Sequence, residues 1–260
     1  MIVDRPRDLY DNEFFAAQVT GALESARVVA PLVCGIVQPR RVADLGCGRG
    51  AWLRAFRDSG VGFIQGFDGD YVDRDALLIP RESFVPTDLA KLTQLPANYD
   101  LAICLEVLEH LPPRAGRNLV EALTEAAPVV LFSAAIPGQG GTNHINEQWP
   151  EYWRQLFVGR SYQMLDPIRP LIRDDKRVAW WYRQNILMFA SEAAVSGNPA
   201  LRAEAARQPQ PELEWVHISM VRKDYARNII LRTVSRALPV RLKKRLKRPV
   251  KAALDLAHVR

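Results

Sequence analysis

Four carboxylates close or follow short apolar runs in the first half of the chain. Asp44 follows Val42-Ala43, Asp68 follows Gly66-Phe67, Asp88 follows Phe84-Val85-Pro86-Thr87, and Glu106 follows Ile103-Cys104-Leu105. In open sheets with helices on both faces, ligands bind in the crevice outside the carboxyl ends of the strands. Acids placed there suit a ligand that donates hydrogen bonds or carries positive charge. Gly46, Gly48 and Gly50 follow the first acid at alternating positions, a pattern that lets backbone turn sharply and approach a ligand closely. Asp68 stands eighteen residues beyond Gly50, where a carboxylate accepts both hydroxyls of an adenosine ribose. Asp88 suits an adenine amino group, with the Leu89 N–H facing a ring nitrogen.

A nicotinamide dinucleotide would use an acid in the same place, but its phosphate turn is G-x-G-x-x-G. Here Ala51 occupies the third glycine position, and Asp44 would repel a pyrophosphate. A ligand with an amino group would be attracted to Asp44 instead. Any one of these acids alone reads as a helix cap or a solvated loop end. Their succession at four strand ends in order is what points to a site.

The elements that must hold them follow from periodicity. Residues Asn12 to Val33 read as a helix with Phe15, Val19, Leu23 and Val28 as its apolar stripe. Strands are predicted at Val42 to Leu45, Gly62 to Phe67, Ser83 to Asp88, Leu101 to Leu105 and Pro128 to Ser133, with later ones at Tyr162 to Leu165 and Asn185 to Ala190. Helices are predicted through Ala51 to Phe56 and Pro112 to Ala126. Strands alternating with helices argue for right-handed parallel βαβ units in a doubly wound α/β sheet.

The segments VADLGCGRG, GFDGD, TDLA and YDLAICLEVLEHL resemble, in order, the motifs of class I S-adenosylmethionine-dependent methyltransferases. The resemblance spans about residues 10–190. It implies a Rossmann-like, mostly parallel seven-stranded sheet with an N-terminal helix and a C-terminal helical extension. It also implies S-adenosylmethionine as cofactor. Asp44, Gly46, Cys47 and Gly48 would then line its methionine portion, Asp68 its ribose, Asp88 and Leu89 its adenine, with Glu106 near the substrate side. Asp70 is an alternative ribose contact.

Methyl transfer to an alcohol needs in-line alignment and a base, or a metal that acidifies the hydroxyl. His144 is the expected base, because in this architecture the loop after the fifth strand crosses the acceptor side. Asn143, Glu147 and Trp149 on the same loop are expected substrate contacts, while Trp153 and Phe157 read as core. His110, in the LEHL run, reads either as catalytic or as a hydrogen-bonded loop anchor. His110, His144 and Glu147 together are an alternative holder for a divalent cation such as Mg2+, although their spacing is no metal signature and no metal is expected from it. The stretch HINEQWPEYWRQLF resembles bacterial methyltransferases of glycan pathways, which implies O-methylation of a sugar hydroxyl on a saccharide or lipid-linked glycan. Alternatives are another small molecule or natural product, a nucleic acid, or a non-catalytic partner protein that keeps the fold.

Composition bounds the rest. Three separated cysteines with no CxxC pair fit reduced thiols and a cytoplasmic setting. The net charge of +6 is concentrated at one end: residues 236–260 carry +8 and the remainder −2. Residues 1–190 read as the methyltransferase domain, 191–235 as an accessory segment and 236–260 as a basic amphipathic tail. Leu242 and Leu246 share a helical face among Arg241, Lys243, Lys244, Arg245, Lys247 and Arg248. Such a tail suits peripheral contact with an anionic membrane at its inner face. The slightly acidic body and the lack of a nucleic-acid module argue against nucleic acid; a homodimer is left open. In low-salt sedimentation with anionic liposomes, the full chain is expected to partition with the vesicles and a chain ending at Pro239 to stay in solution. Equal partitioning would remove the membrane role.

Overall fold

A computed structural model describes residues 12–96, 98–207 and 216–220. The basic tail lies outside the described residues. The centre is a seven-stranded sheet in the order β3-β2-β1-β4-β5-β7-β6. It is built from β1 (Arg41–Leu45), β2 (Phe63–Asp68), β3 (Phe84–Pro86), β4 (Leu101–Leu105), β5 (Val129–Ser133), β6 (Tyr162–Leu165) and β7 (Leu187–Ser191). The first five strands are parallel, and β7 runs antiparallel between β5 and β6. The doubly wound sheet expected from the sequence is the one observed.

The strands are buried on both faces, as parallel strands under crossover helices must be. In β4, Leu101, Ile103 and Leu105 face one apolar layer, and Ala102 and Cys104 face the other. The first layer is covered by α1 (Asn12–Val37) and α2 (Ala51–Asp58), the second by α3 (Pro113–Ala126) and α4 (Pro150–Val158).

The buried seam of α1 is Ala26, Val29, Ala30 and Val33. The predicted stripe is therefore corrected: Leu23 and Val28 are only partly buried, and the side chains of Phe15 and Val19 lie outside the described residues. Small residues at i, i+3 and i+4 let α1 come close to α2, which large ones would prevent.

Two short helices went unpredicted, α5 (Arg169–Ile172) and α6 (Trp180–Asn185). The last predicted strand accordingly begins at Leu187, and Asn185 ends a helix. The accessory segment 191–235 forms α7 (Glu192–Gly197) and α8 (Pro199–Arg207) among its described residues, with Ser191 Oγ capping α7 through the Ala194 N–H. Among the described residues no helix is long and apolar enough to cross a membrane.

Trp153 and Phe157 are core, as expected. Phe157 is fully buried and stacks on Phe189 with ring centroids 3.8 Å apart, while Phe132 meets both Phe157 and Trp153 at wider angles. These rings lock α4 to β5 and β7, and thereby fix the start of α4, into which the acceptor loop runs. Phe157→Ala should lower unfolding free energy by about 3–5 kcal/mol, read as a drop in the urea midpoint.

Candidate active site

The site is built at the carboxyl ends of β1, β2 and β4. Gly46 N–H (2.8 Å) and Cys47 N–H (3.3 Å) both donate to the Phe67 carbonyl, so the loop after β1 is stapled to β2. Gly46 sits at φ +82°, and a Cβ there would lie 2.3 Å from Val107 Cγ2. Both conformation and space therefore require glycine. One residue on, the Cys47 side chain turns inward, where its thiol packs over Gly66. The Cys47 sulfur therefore faces the core, and its N–H and carbonyl are spent within the loop on Phe67 and Gly50. Above Gly48 no atom lies within 4 Å of a notional Cβ, so that face of the loop is open.

Asp68 is 5% exposed and accepts three hydrogen bonds, from Gly48 N–H (2.7 Å), Gly69 N–H (2.6 Å) and the Tyr71 hydroxyl (2.5 Å). Burial raises its pKa, and these donors offset part of the rise. The Tyr71 hydroxyl occupies a donor position of the kind a ribose hydroxyl would take. Asp44 is 3% exposed. Burial, and then the charge of Asp68, push its pKa well above the usual carboxylate range. A buried acid whose ionisation is opposed by a second carboxylate nearby suits a ligand carrying a positive centre. S-adenosylmethionine has an ammonium, a sulfonium and a ribose diol, and these residues fit it. The methyl group to be transferred is what the cofactor supplies when bound.

Asp88 is different. Its carboxylate is half-exposed, accepts from Ala90 N–H at 3.1 Å and pairs with Lys91 at 2.8 Å, which holds its pKa below the ordinary value. It caps its own turn, and it would reach an adenine only from the solvent side. Leu89 is buried in the core. Asp70 points outward to Arg74, leaving Asp68 as the buried acid at this strand end.

Glu106 adopts φ +57°, a left-handed conformation uncommon for a residue with a side chain. Its N–H is held by the Ser133 carbonyl (3.0 Å) and the Ser133 hydroxyl (3.1 Å). Gln139 Nε2 donates to one carboxylate oxygen at 2.7 Å and Asn185 Nδ2 to the other at 3.0 Å. Burial raises its pKa against these donors. Both oxygens are engaged, so Glu106 is a fixed acceptor at the bottom of the cleft. The Gln139 and Asn185 carboxamides also join each other (2.8 Å), and Gln184 continues the chain to the His217 N–H (2.7 Å). Sequence reasoning missed Asn185, Gln184 and Ser133 as site residues. Asn185 arrives because β7 is antiparallel, which brings its leading end to the same edge as the β4 and β5 termini.

On the loop between β5 and α4, His144 Nδ1 lies 2.9 Å from Glu147 Oε1. Glu147 is itself held by Gly138 N–H (2.8 Å) and Gly140 N–H (3.3 Å). The loop lies flat because Gly141 lacks a Cβ, which would stand 2.2 Å from His144 Nε2. Asn143 and Trp149 are exposed on the same loop, Trp149 at 49%. The His110 ring meets the His144 ring edge-on at 4.8 Å. Burial, then the neighbouring His144 charge, lower the His110 pKa to about 4. Of the three residues weighed as an alternative cation holder, His110 and His144 come together, but Glu147 braces the His144 ring from its Nδ1 side. The acid whose oxygens gather with the two imidazoles is Glu109.

Residues 17–166 match the family model described as methyltransferase domain. The chain belongs to this methyltransferase domain family. Its fold is that of the class I S-adenosylmethionine-dependent methyltransferases. The methyltransferase domain is similar in fold to a putative O-methyltransferase from Nostoc punctiforme PCC 73102. The two are 15% identical with a TM-score of 0.51, over 69% of this chain and 59% of that one. An O-methyltransferase family protein from Burkholderia thailandensis is 17% identical, with a TM-score of 0.49 over 71% and 59% of the respective chains. The magnesium protoporphyrin IX methyltransferase of Synechocystis PCC 6803, solved with bound S-adenosylhomocysteine, is 20% identical at a TM-score of 0.47, over 68% and 88%. The chain spans less than two thirds of the length of the first solved structures it matches. No curated protein sequence matches it.

A raised carboxyl pKa means that the folded state keeps its proton to higher pH than the unfolded chain. Stability is then lost as pH rises from the unfolded value through the folded one. Asp44→Asn removes that loss. Its Tm should equal wild type in acid and exceed it at pH 7, while affinity for S-adenosylmethionine falls about 10-fold or more. Melting curves across pH, with calorimetric titration of the cofactor, check both halves.

Proposed function

We propose that this chain is an S-adenosylmethionine-dependent O-methyltransferase that acts on a sugar hydroxyl of a glycan or glycolipid precursor. The observation that carries this reading is the braced imidazole of His144, on the loop that borders the acceptor side. Glu147 fixes the ring through Nδ1 and leaves Nε2 to act on a hydroxyl. An alcohol is a poor nucleophile until its proton is drawn away, and a held imidazole next to the cofactor cleft supplies that pull. Around it, exposed Asn143 and the amide-rich loop offer directional hydrogen bonds suited to a polyhydroxylated acceptor. Asp44, Gly46, Gly48 and Asp68 hold the donor, and Glu106 fixes the floor between donor and acceptor.

Ile145 and Trp149 favour a second acceptor class. They are 62% and 49% exposed and border the same loop, a rim suited to the flat apolar face of a small natural product carrying a hydroxyl. Both readings share the hydroxyl chemistry and differ in the acceptor's apolar area.

The test is methyl transfer from labelled S-adenosylmethionine to panels of saccharides, glycolipids and aromatic alcohols. His144→Gln is expected to lower turnover about 10²- to 10⁴-fold without changing cofactor affinity. A variant that turns over at the wild-type rate would remove His144 from the chemistry, and transfer to nitrogen or carbon acceptors alone would remove the O-methyl reading.

A further inference from the structure

Glu109 is fully buried on the 3₁₀ turn Leu108–His110. Its carboxylate has no side-chain partner, and the N–H groups of Glu109 itself and Ala135 lie close enough to favour its charge without making a well-formed hydrogen bond. Next to it, His110 Nδ1 is also buried without a hydrogen-bond partner. A buried carboxylate is costly unless it is paired, protonated or bound to a metal. No Lys or Arg is in contact with this one among the ion pairs of the described residues, and the nearby charges acting on it are those of Glu106 and Glu147.

Donor atoms of Glu109, His110 and His144 all lie within 4.8 Å of one another. Bonds of ~2.0–2.2 Å to a single ion would set such donors roughly 3–4 Å apart, so small side-chain rotations close the gap. The two segments that carry them are already joined. Ile145 N–H (2.9 Å) and Asn146 N–H (3.0 Å) both donate to the Glu109 carbonyl, and Asn146 Nδ2 donates to the Leu108 carbonyl at 3.2 Å. Glu147 orients the His144 ring from the far side, as an outer carboxylate does for a metal-binding histidine.

We propose that Glu109, His110 and His144 form a binding site for one divalent transition-metal ion, at the acceptor side of the cleft. Two imidazoles and one carboxylate select Mn2+, Fe2+, Co2+ or Zn2+ over the oxygen-seeking Mg2+. With Nδ1 held by Glu147, His144 binds through Nε2, and its action on the acceptor is exerted through the ion. The ion's role rests on the reading that the acceptor is a hydroxyl, which a metal acidifies; the site itself does not.

The experiment uses the full chain after chelator treatment, titrated with Co2+ by visible absorption and with Mn2+ by calorimetry. One ion per chain is expected. Glu109→Gln and His144→Gln should each weaken binding more than ~100-fold, and Glu147→Gln about 10- to 100-fold. S-adenosylhomocysteine binding reports that each variant is folded, and His144→Gln, on the loop, serves if Glu109→Gln does not fold. The proposal is overturned if the wild-type chain binds Co2+ no better than His144→Gln. It is also overturned if Glu109→Gln binds the ion normally and melts higher, since Glu109 then merely carries a proton. Ion binding without methyl transfer to any hydroxyl would support the site while sinking the O-methyl reading. Full-rate O-methylation by a chain that binds no ion would do the reverse.

Discussion

The Phe67 carbonyl, shared by the N–H groups of Gly46 and Cys47, is the joint on which the cleft depends. It draws the loop after β1 across the end of β2 and sets the Gly48 N–H against Asp68. That closure keeps Asp68 near enough to Asp44 for its charge to oppose the ionisation of Asp44. It also brings Gly46 against Val107, next to Glu106 with its left-handed backbone. The cofactor side and the floor of the site are consequently one construction: a side chain at position 46 would disturb both.

Four acids line this edge, the buried Asp44, Asp68 and Glu109 and the half-buried Glu106, and the protein treats them differently. Asp68 and Glu106 are saturated with neutral donors, which keeps charge acceptable at moderate cost. Asp44 lacks comparable help, and Glu109 has no well-formed bond. The difference separates acids that shape the site from acids that wait for a partner. Elsewhere the same problem is solved conventionally: buried Asp166 is paired with Arg169 at 2.6 Å, which in turn reaches the Gln184 carbonyl.

Much of this was legible in the residues. The parallel half of the sheet follows from apolar runs broken by glycine and acid, and Asp44, Gly46 and Asp68 stand where spacing put them. The direction of the Cys47 side chain was not legible, because an inward thiol and an outward one look alike in sequence. Asp88 stands past its strand end where spacing put it, while its pairing with Lys91 three residues on is a local feature added to that position. The α1 seam was misplaced because large residues dominate an apolar pattern, while close helix contact prefers alanine. Asn185 and Gln184 were hidden because their role depends on β7 reversing direction, and Ser133 because its bond to Glu106 depends on the β4–β5 register, long-range facts with no local signature. Glu109 stood in view within LEVLEHL, but burial without a partner exists only in three dimensions.

The donor-side residues come from positions 44–68, while the loop bearing His144 and Trp149 enters as a single excursion between β5 and α4. Its two ends are fixed by features that do not touch the acceptor: the Ile136 to Gln139 turn at one side and the Phe132, Trp153 and Phe157 packing at the other. Within it, Gln139, His144 and Asn146 are tied to the floor of the site, whereas the side chains of Asn143, Ile145 and Trp149 are exposed. Exchange of those exposed side chains would change what the loop presents while leaving its anchors and the donor pocket intact, so a lineage built on this scaffold can diversify its target at a few positions rather than by rebuilding the domain.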